Sequence, residues 1–257
     1  LSDRITRGGP LGVIPRQWNL NGNVSSDQRK RVTGSAGAGM TRNLSGGYNN
    51  FVSLQLAARP TSALSIRLSP SFNENHSAAG YVTAPLDPTA TAMFGRRYIV
   101  ADLTQKTVDL TTRVEMSLTP TLSLQLYAQP FSSAAAFSGY KAFVQPSVFR
   151  FMVYGQGNGS TIAYDQASRV YAADADGAGP APALTFANPD SRLRSLRSNF
   201  VVRWEYRPGS ALFFAWAHGR QGFDADPSFD VGRDLRDLAH DDHRNRVLIK
   251  ASYWLNR

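Results

Sequence analysis

Apolar and polar residues alternate along most of this chain. From Leu196 to Tyr206 the even positions are Leu, Ser, Phe, Val, Trp and Tyr, while the intervening ones include Arg197, Asn199, Arg203 and Glu205. Val108, Leu110, Val114, Met116 and Leu118 oppose Thr107, Asp109, Arg113, Glu115 and Ser117 in the same way, and Leu122, Leu124 and Leu126 oppose Ser123, Gln125 and Tyr127. Val52, Leu54 and Leu56 stand against Ser53, Gln55 and Arg59, and Leu64, Ile66 and Leu68 against Ser65, Arg67 and Ser69. Because side chains of a strand point alternately to opposite faces, each run is a strand with one greasy and one polar face.

This pattern places strands near Trp18 to Ser25, Val32 to Arg42, Tyr48 to Arg59, Ala63 to Asn73, Lys106 to Leu118, Leu122 to Pro130, Arg194 to Arg207, Ala211 to Gly222 and Arg246 to Asn256. Connections between them alternate in length. SDQRKR, the Pro-containing RPTSA, TPT and RPGSA are short, as Pro fixes φ and Gly or Ser suits the bend. The segments Glu74 to Gln105, Phe131 to Leu193 and Phe223 to Asn245 are long, and RYIVADL (Arg97 to Leu103) is assigned to the first of these loops. Outer-membrane barrels have short periplasmic turns and longer extracellular loops, with strands of roughly ten residues. The expected fold is therefore all-β: an antiparallel up-and-down transmembrane β-barrel portion of about nine strands with long extracellular loops and a periplasmic C-terminus. Since bacterial single-chain barrels use even strand numbers, residues 1–257 are expected to be the C-terminal portion of one larger barrel domain. The opening LSDRITRGGPLG has no signal-peptide pattern, which fits a mature or excised chain.

Composition narrows this picture. The mean hydropathy is -0.30 and no apolar run approaches the roughly eighteen residues of a membrane helix, whereas barrel strands escape such averaging. There is no cysteine, so disulfides, thiol catalysis and Cys-ligated zinc are excluded. The net charge of +9 would suit nucleic acid, but the basic residues are spread over strands and loops rather than clustered, so no nucleic-acid partner is expected. Contact with outer-membrane lipid headgroups is the expected outlet, and passage through the barrel-assembly machinery follows from the fold.

The runs RSLRSNFVVRWEYRPGSALFFAW, FDVGRDLRDL, VLIKASYWLNR, DPTATAMFGRRYIVADL and LSLQLYAQPF resemble the C-terminal barrel region of the domain of unknown function 5916 family, over essentially the whole chain. Full-length members of that family resemble secreted proteins with an N-terminal module like family-nine carbohydrate-binding modules. The resemblance implies an outer-membrane location, and carbohydrate contact through an upstream module that no part of this chain shows.

Individual residues on these faces and in the loops carry the candidate chemistry. Arg59, Arg67, Arg113, Glu115, Arg203, Glu205 and Lys250 fall on the polar face and are expected to face the lumen, as paired structural charges or as the lining of an aqueous path. Trp204, Tyr206, Tyr253 and Trp254 lie beside a short turn or the C-terminus, where interface aromatics sit; a lectin groove is the sharper alternative. In ALFFAWAH both faces are apolar, so Phe213 is expected to meet something hydrophobic inside, such as a folded-in loop. Asp174 and Asp176, followed by Gly177, resemble the start of a calcium loop whose other ligands are absent, which favours a solvated turn and no cofactor. His240, Asp241, Asp242 and His243 could offer metal ligands, and FDADPSFDVGRDLRDL is expected to form a short helix or plug whose charges pair in solvent.

Three function classes follow. The first is a membrane anchor or passage for an exported carbohydrate-binding, or carbohydrate-processing, protein. A barrel-embedded hydrolase using a serine with His76, His218, His240 or His243 is the second, though no nucleophile elbow is present, and this portion is not expected to be an enzyme. The third is a soluble β-sandwich adhesin or lectin, which would bury the greasy face against a second sheet.

Overall fold

A computed structural model describes residues 1–157 and 159–255. Nine long strands form one antiparallel meander in which neighbours in sequence are neighbours in space. They are β1 (Gln17–Ser25), β2 (Val32–Asn43), β3 (Tyr48–Thr61), β4 (Leu64–Thr83), β5 (Ile99–Thr119) and β6 (Leu122–Phe143), then, after a long insertion, β11 (Ser191–Arg207), β12 (Ser210–Asp224) and β13 (His243–Ser252). The insertion holds β7 (Phe151–Val153), which pairs with β6, and a separate three-stranded sheet of β8 (Thr161–Asp165), β9 (Val170–Asp174) and β10 (Leu184–Ala187). One helix, α1 (Val231–Leu238), lies between β12 and β13. The sheet is open: among the described residues β1 and β13 form its two edges and do not pair with each other.

All nine sequence-derived strands are present, but several are longer than the alternation indicated. β4 runs on to Thr83, β5 starts at Ile99 and β6 continues to Phe143. RYIVADL is thus not confined to a loop, since Ile99 to Leu103 begin β5 and pair with β6. The physical reason is burial on both sides. Ile99 and Ala101 pack with Tyr140, Ala142, Tyr154 and Phe186 under the small sheet, whereas Val100 packs with Met93, Tyr98 and Phe143 on the opposite face. A strand covered twice reads as a continuous apolar run rather than an alternating one. At the other terminus, β13 ends at Ser252, and Asn256, expected as the last strand residue, lies outside the described residues.

The Pro-containing turns differ from one another. Gly209, in RPGSA, takes a φ of 77°, as a turn with Pro208 before it requires. In RPTSA, however, Pro60 stays within β3 at an irregularity in the pairing with β4, and the turn forms at Ser62 and Ala63. Pro has no N–H to give to a ladder, which is why the register slips there.

At Gly209 a Cβ would also stand 3.0 Å from that of Trp254. Gly209→Ala should therefore destabilise the fold by about 1–2 kcal/mol, seen as a lower urea midpoint. An unchanged midpoint would show that this turn does not hold the β11–β12 register.

Candidate functional site

Cross-strand pairing makes the two faces continuous over the whole sheet. One row of partners runs Val247, Trp216, Phe200, Leu126, Val114, Ile66, Ala58, Val32 from β13 to β2. Large apolar side chains of this face stand exposed, Val52 by 49% and Val247 by 60%. Above them each strand turns polar on the same face, at Asn245, His218, Arg194, Ser132, Lys106, Glu74, Asn50 and Arg42 in order from β13 to β2.

This border is oblique to the rows of partners. It climbs roughly eight residues over about seven interstrand spacings, which at ~3.3 Å per residue and ~4.8 Å per spacing is a slope of about 40°. The lower edge climbs alongside it, from Tyr206 on β11 to Leu64 on β4 and Val24 on β1. An apolar run such as Leu196 to Tyr206 spans about ten residues, and tilted by about 40° it makes a band about 25 Å tall. Trp204, Tyr206, Tyr253 and Trp254 gather at the short-turn end of β11, β12 and β13, where the Tyr206 hydroxyl meets the Ser252 carbonyl at 3.4 Å and Arg207 donates to the Tyr253 hydroxyl at 2.8 Å. Trp216 and Trp18 mark the opposite border; sequence reasoning missed them, although their parity with the apolar positions was the available signal.

The polar face carries the seven predicted charges. Arg67 and Arg113 are direct cross-strand partners, and Arg113 stacks on Tyr127 with its guanidinium 5.5 Å from the ring centre. Arg203 pairs with Glu205 at 2.9 Å. Phe213 does not meet a folded-in loop: the Arg203 guanidinium and the Lys250 ammonium each lie 6.0 Å from its ring, so cation–π contact replaces the expected apolar cover. Arg59 and Glu115 line one hollow of about 600 Å³ on this face without forming an ion pair.

Above the apolar band, α1 docks on the same face as the apolar residues. Val231, Leu235 and Leu238 face Val108, Leu110 and Pro130 across a cavity of about 180 Å³, and Phe229 meets Phe72. Asp230 caps the helix by accepting from the Arg233 N–H at 3.0 Å. Arg233 pairs with the exposed Asp226 at 3.3 Å, in solvent as the sequence suggested, but the neighbouring acidic residues turn toward the sheet. Arg192 and Arg194, buried on β11, sit among them: Arg192 contacts Asp224 at 2.6 Å and Asp234 at 3.3 Å, and Arg194 grips both oxygens of Asp241 at 2.6 Å and also contacts Asp224. Ser132 donates to the buried Asp234. Hydrogen bonds from Arg192 and then Arg194 hold the Asp224 carboxyl below its ordinary value of 3.8. The signal for this cluster was two arginines on the face that is otherwise apolar.

The remaining candidates are dispersed. Asp174 accepts from the backbone of Asp176 at 3.0 Å and Gly177 at 2.7 Å, and Asp176 accepts from the Ala181 N–H at 3.2 Å, so both carboxylates organise a turn. Asp241 is committed to Arg194, His240 contacts the Arg236 carbonyl, and the His243 ring lies 6.1 Å from that of His218. Among the described residues no three His, Asp or Glu side chains converge to hold a metal. His76 stacks on Tyr48 and meets the Thr104 hydroxyl at 3.0 Å; the His218 ring meets Asn245 at 2.8 Å, and the Ser198 hydroxyl points to the His218 carbonyl rather than to its ring.

No family model and no curated protein matches the chain. A solved structure, "Copper transporter OprC", is similar at 12% identity with a TM-score of 0.45, covering 91% of this chain and 32% of that one. The chain spans about a third of that protein's length. By its own strand pairing the fold is all-β, an antiparallel up-and-down sheet.

A carboxylate whose folded pKa lies below its unfolded value contributes stability that is present above the unfolded value and lost as pH falls through the folded one. Docking of α1 should accordingly be constant from pH 8 to 5 and weaken once the pH drops below 3.8. Hydrogen exchange of the Val231–Leu238 amides reads this. Protection that declines between pH 7 and 5, or survives to pH 2, would contradict the role given to Asp224.

Proposed function

We propose that this chain is part of an outer-membrane β-barrel wall whose even-numbered face on β11 and β12 meets lipid and whose opposite face meets water. The observation that carries the reading is the oblique apolar band. Barrel strands tilt by about 35–45° and show lipid a band about 25 Å tall, and the border slope and run length here agree with both. Aromatics at its two edges are what membrane interfaces select. A β-sandwich would instead cover this face with a second sheet, and among the described residues none does.

β1 and β13, first and last in a meander of nine, run in the same direction, so they cannot close on each other as antiparallel neighbours. Closing an antiparallel wall takes an odd number of further strands, in keeping with a C-terminal portion of a larger barrel. On this reading Arg59, Arg67, Arg113, Glu115, Arg203, Glu205 and Lys250 face the lumen, and the short turns lie in the periplasm. The resemblance to the domain of unknown function 5916 family supports a finer role: anchor or passage for an exported protein that contacts carbohydrate through another module. The outer membrane's lipid and the barrel-assembly machinery are the partners this role requires.

Neighbours that differ in parity test the assignment of faces. Val114 lies on the apolar face and Arg113 on the polar one. An arginine at a lipid-facing midplane position costs roughly 2–4 kcal/mol, so Val114→Arg should impair folding into bilayers while Arg113→Gln is tolerated. Heat-modifiable gel mobility reports the yields. The reverse order, or equal tolerance, would mean that the apolar face does not meet lipid.

A further inference from the structure

The polar face is not uniformly charged, and its most one-sided region lies at the short-turn end of β2, β3 and β4. There the connection after β1 and the strand residues of β2, β3 and β4 enclose a hollow of about 190 Å³. Lys30, Arg31, Arg59 and Arg67 line it together with Gln28 and Gln55, and no carboxylate does. The backbone places the cations deliberately close: the Arg59 N–H donates to the Arg31 carbonyl at 2.6 Å, and Arg67 stands opposite Ala57 on the neighbouring strand. Glu115 joins Arg31 and Arg59 in the adjacent larger hollow without reaching ion-pair distance of either.

Among the described residues, none of these four side chains has an ion pair, a side-chain hydrogen bond or an aromatic partner. The contrast with the sister turn is direct. Arg207 occupies in RPGSA the place of Arg59 in RPTSA, and it is committed to Tyr253 by a hydrogen bond and a ring contact at 5.1 Å. Like charges crowded on adjacent strands repel one another, so a cluster left unpaired is stabilised when an anion enters it. Guanidinium forks match phosphate oxygens two at a time, and rings of Arg and Lys are how pores select phosphate-bearing solutes.

We propose that Lys30, Arg31, Arg59 and Arg67 form a binding site for a phosphate-bearing anion at the short-turn mouth of the polar face. The site depends on this face being accessible to water and not on the other face meeting lipid, so the two claims fail separately. It takes a compact ligand with several negative oxygens, either a soluble phosphorylated solute or a phospholipid headgroup at the rim.

Calorimetric titration of the folded chain in zwitterionic detergent with inorganic pyrophosphate tests it. Saturable binding is expected, weakening as salt rises and falling at least tenfold in Arg59→Gln/Arg67→Gln. Since these arginines have no partners to orphan, the variant should fold; Lys30→Gln/Arg31→Gln, in the exposed connection, gives an independent loss of affinity. Arg207→Gln should leave binding unchanged. Repeating the titration in micelles containing phosphatidylglycerol separates the sources, because a site for headgroups loses its pyrophosphate signal and a site for soluble phosphate keeps it. Absence of saturable heat, or an affinity in the two double variants unchanged from that of the parent chain, overturns the proposal, as does an equal loss in Arg207→Gln.

Discussion

A sheet that exposes one apolar face must bring that face into contact with something other than water, and the cost of failing to do so grows with every residue in the face. In this protein the face spans all nine long strands without a break, because each strand keeps its parity through the pairing with its neighbour. The obliquity of its borders ties local alternation to a global direction. No single strand carries that information, which appears when the polar boundary is followed from Asn245 through Arg194 and Lys106 to Arg42. The strands lean by about 40° relative to the band, and the chain ends of the apolar runs, the aromatic edges and the placement of the loops all follow that lean.

Above the border the same sheet is built on a different principle. Its extended strands are covered on both faces, by the small three-stranded sheet on one side and by the segment 84–98 on the other. The α1 helix is fixed to the apolar-side face by buried arginines rather than by a large apolar seam. Charges buried this way are stable only while every member is paired, and removing one leaves the others uncompensated at a cost of about 3–5 kcal/mol. That arrangement ties α1 to the sheet at neutral pH while leaving its attachment dependent on the ionised state of Asp224. At the opposite end Arg207 is held by Tyr253 and Arg203 by Glu205, whereas Lys30, Arg31, Arg59 and Arg67 are left without such partners.

Much of the architecture was legible in the sequence because period-two alternation is a local property. The nine strands, their faces, the short and long connections and the existence of a helix near Leu238 could all be read from neighbouring residues. The upper halves of β4, β5 and β6 could not, since burial on both sides erases the alternation in β5 and β6 and β4 is polar on both faces from Asn73 to Ser77. Pro60 read as a turn residue, but the chain tolerates it at a register slip. Phe213 looked unaccounted for because its partners, Arg203 and Lys250, come from the two flanking strands and appear apolar to no local pattern. The docking of α1 joins Arg192 and Ser132 to Asp234 over long sequence separations, so the aspartates read as solvated until the fold brought them together.

An apolar face lying in a bilayer fixes the lean of its strands at the angle that its borders record. Polarised infrared spectroscopy of the chain reconstituted in oriented bilayers measures that angle directly from the amide dichroism. Strands tilted by about 40° from the membrane normal are expected. Strands lying in the membrane plane, or a chain that remains unoriented at the bilayer surface, would contradict it.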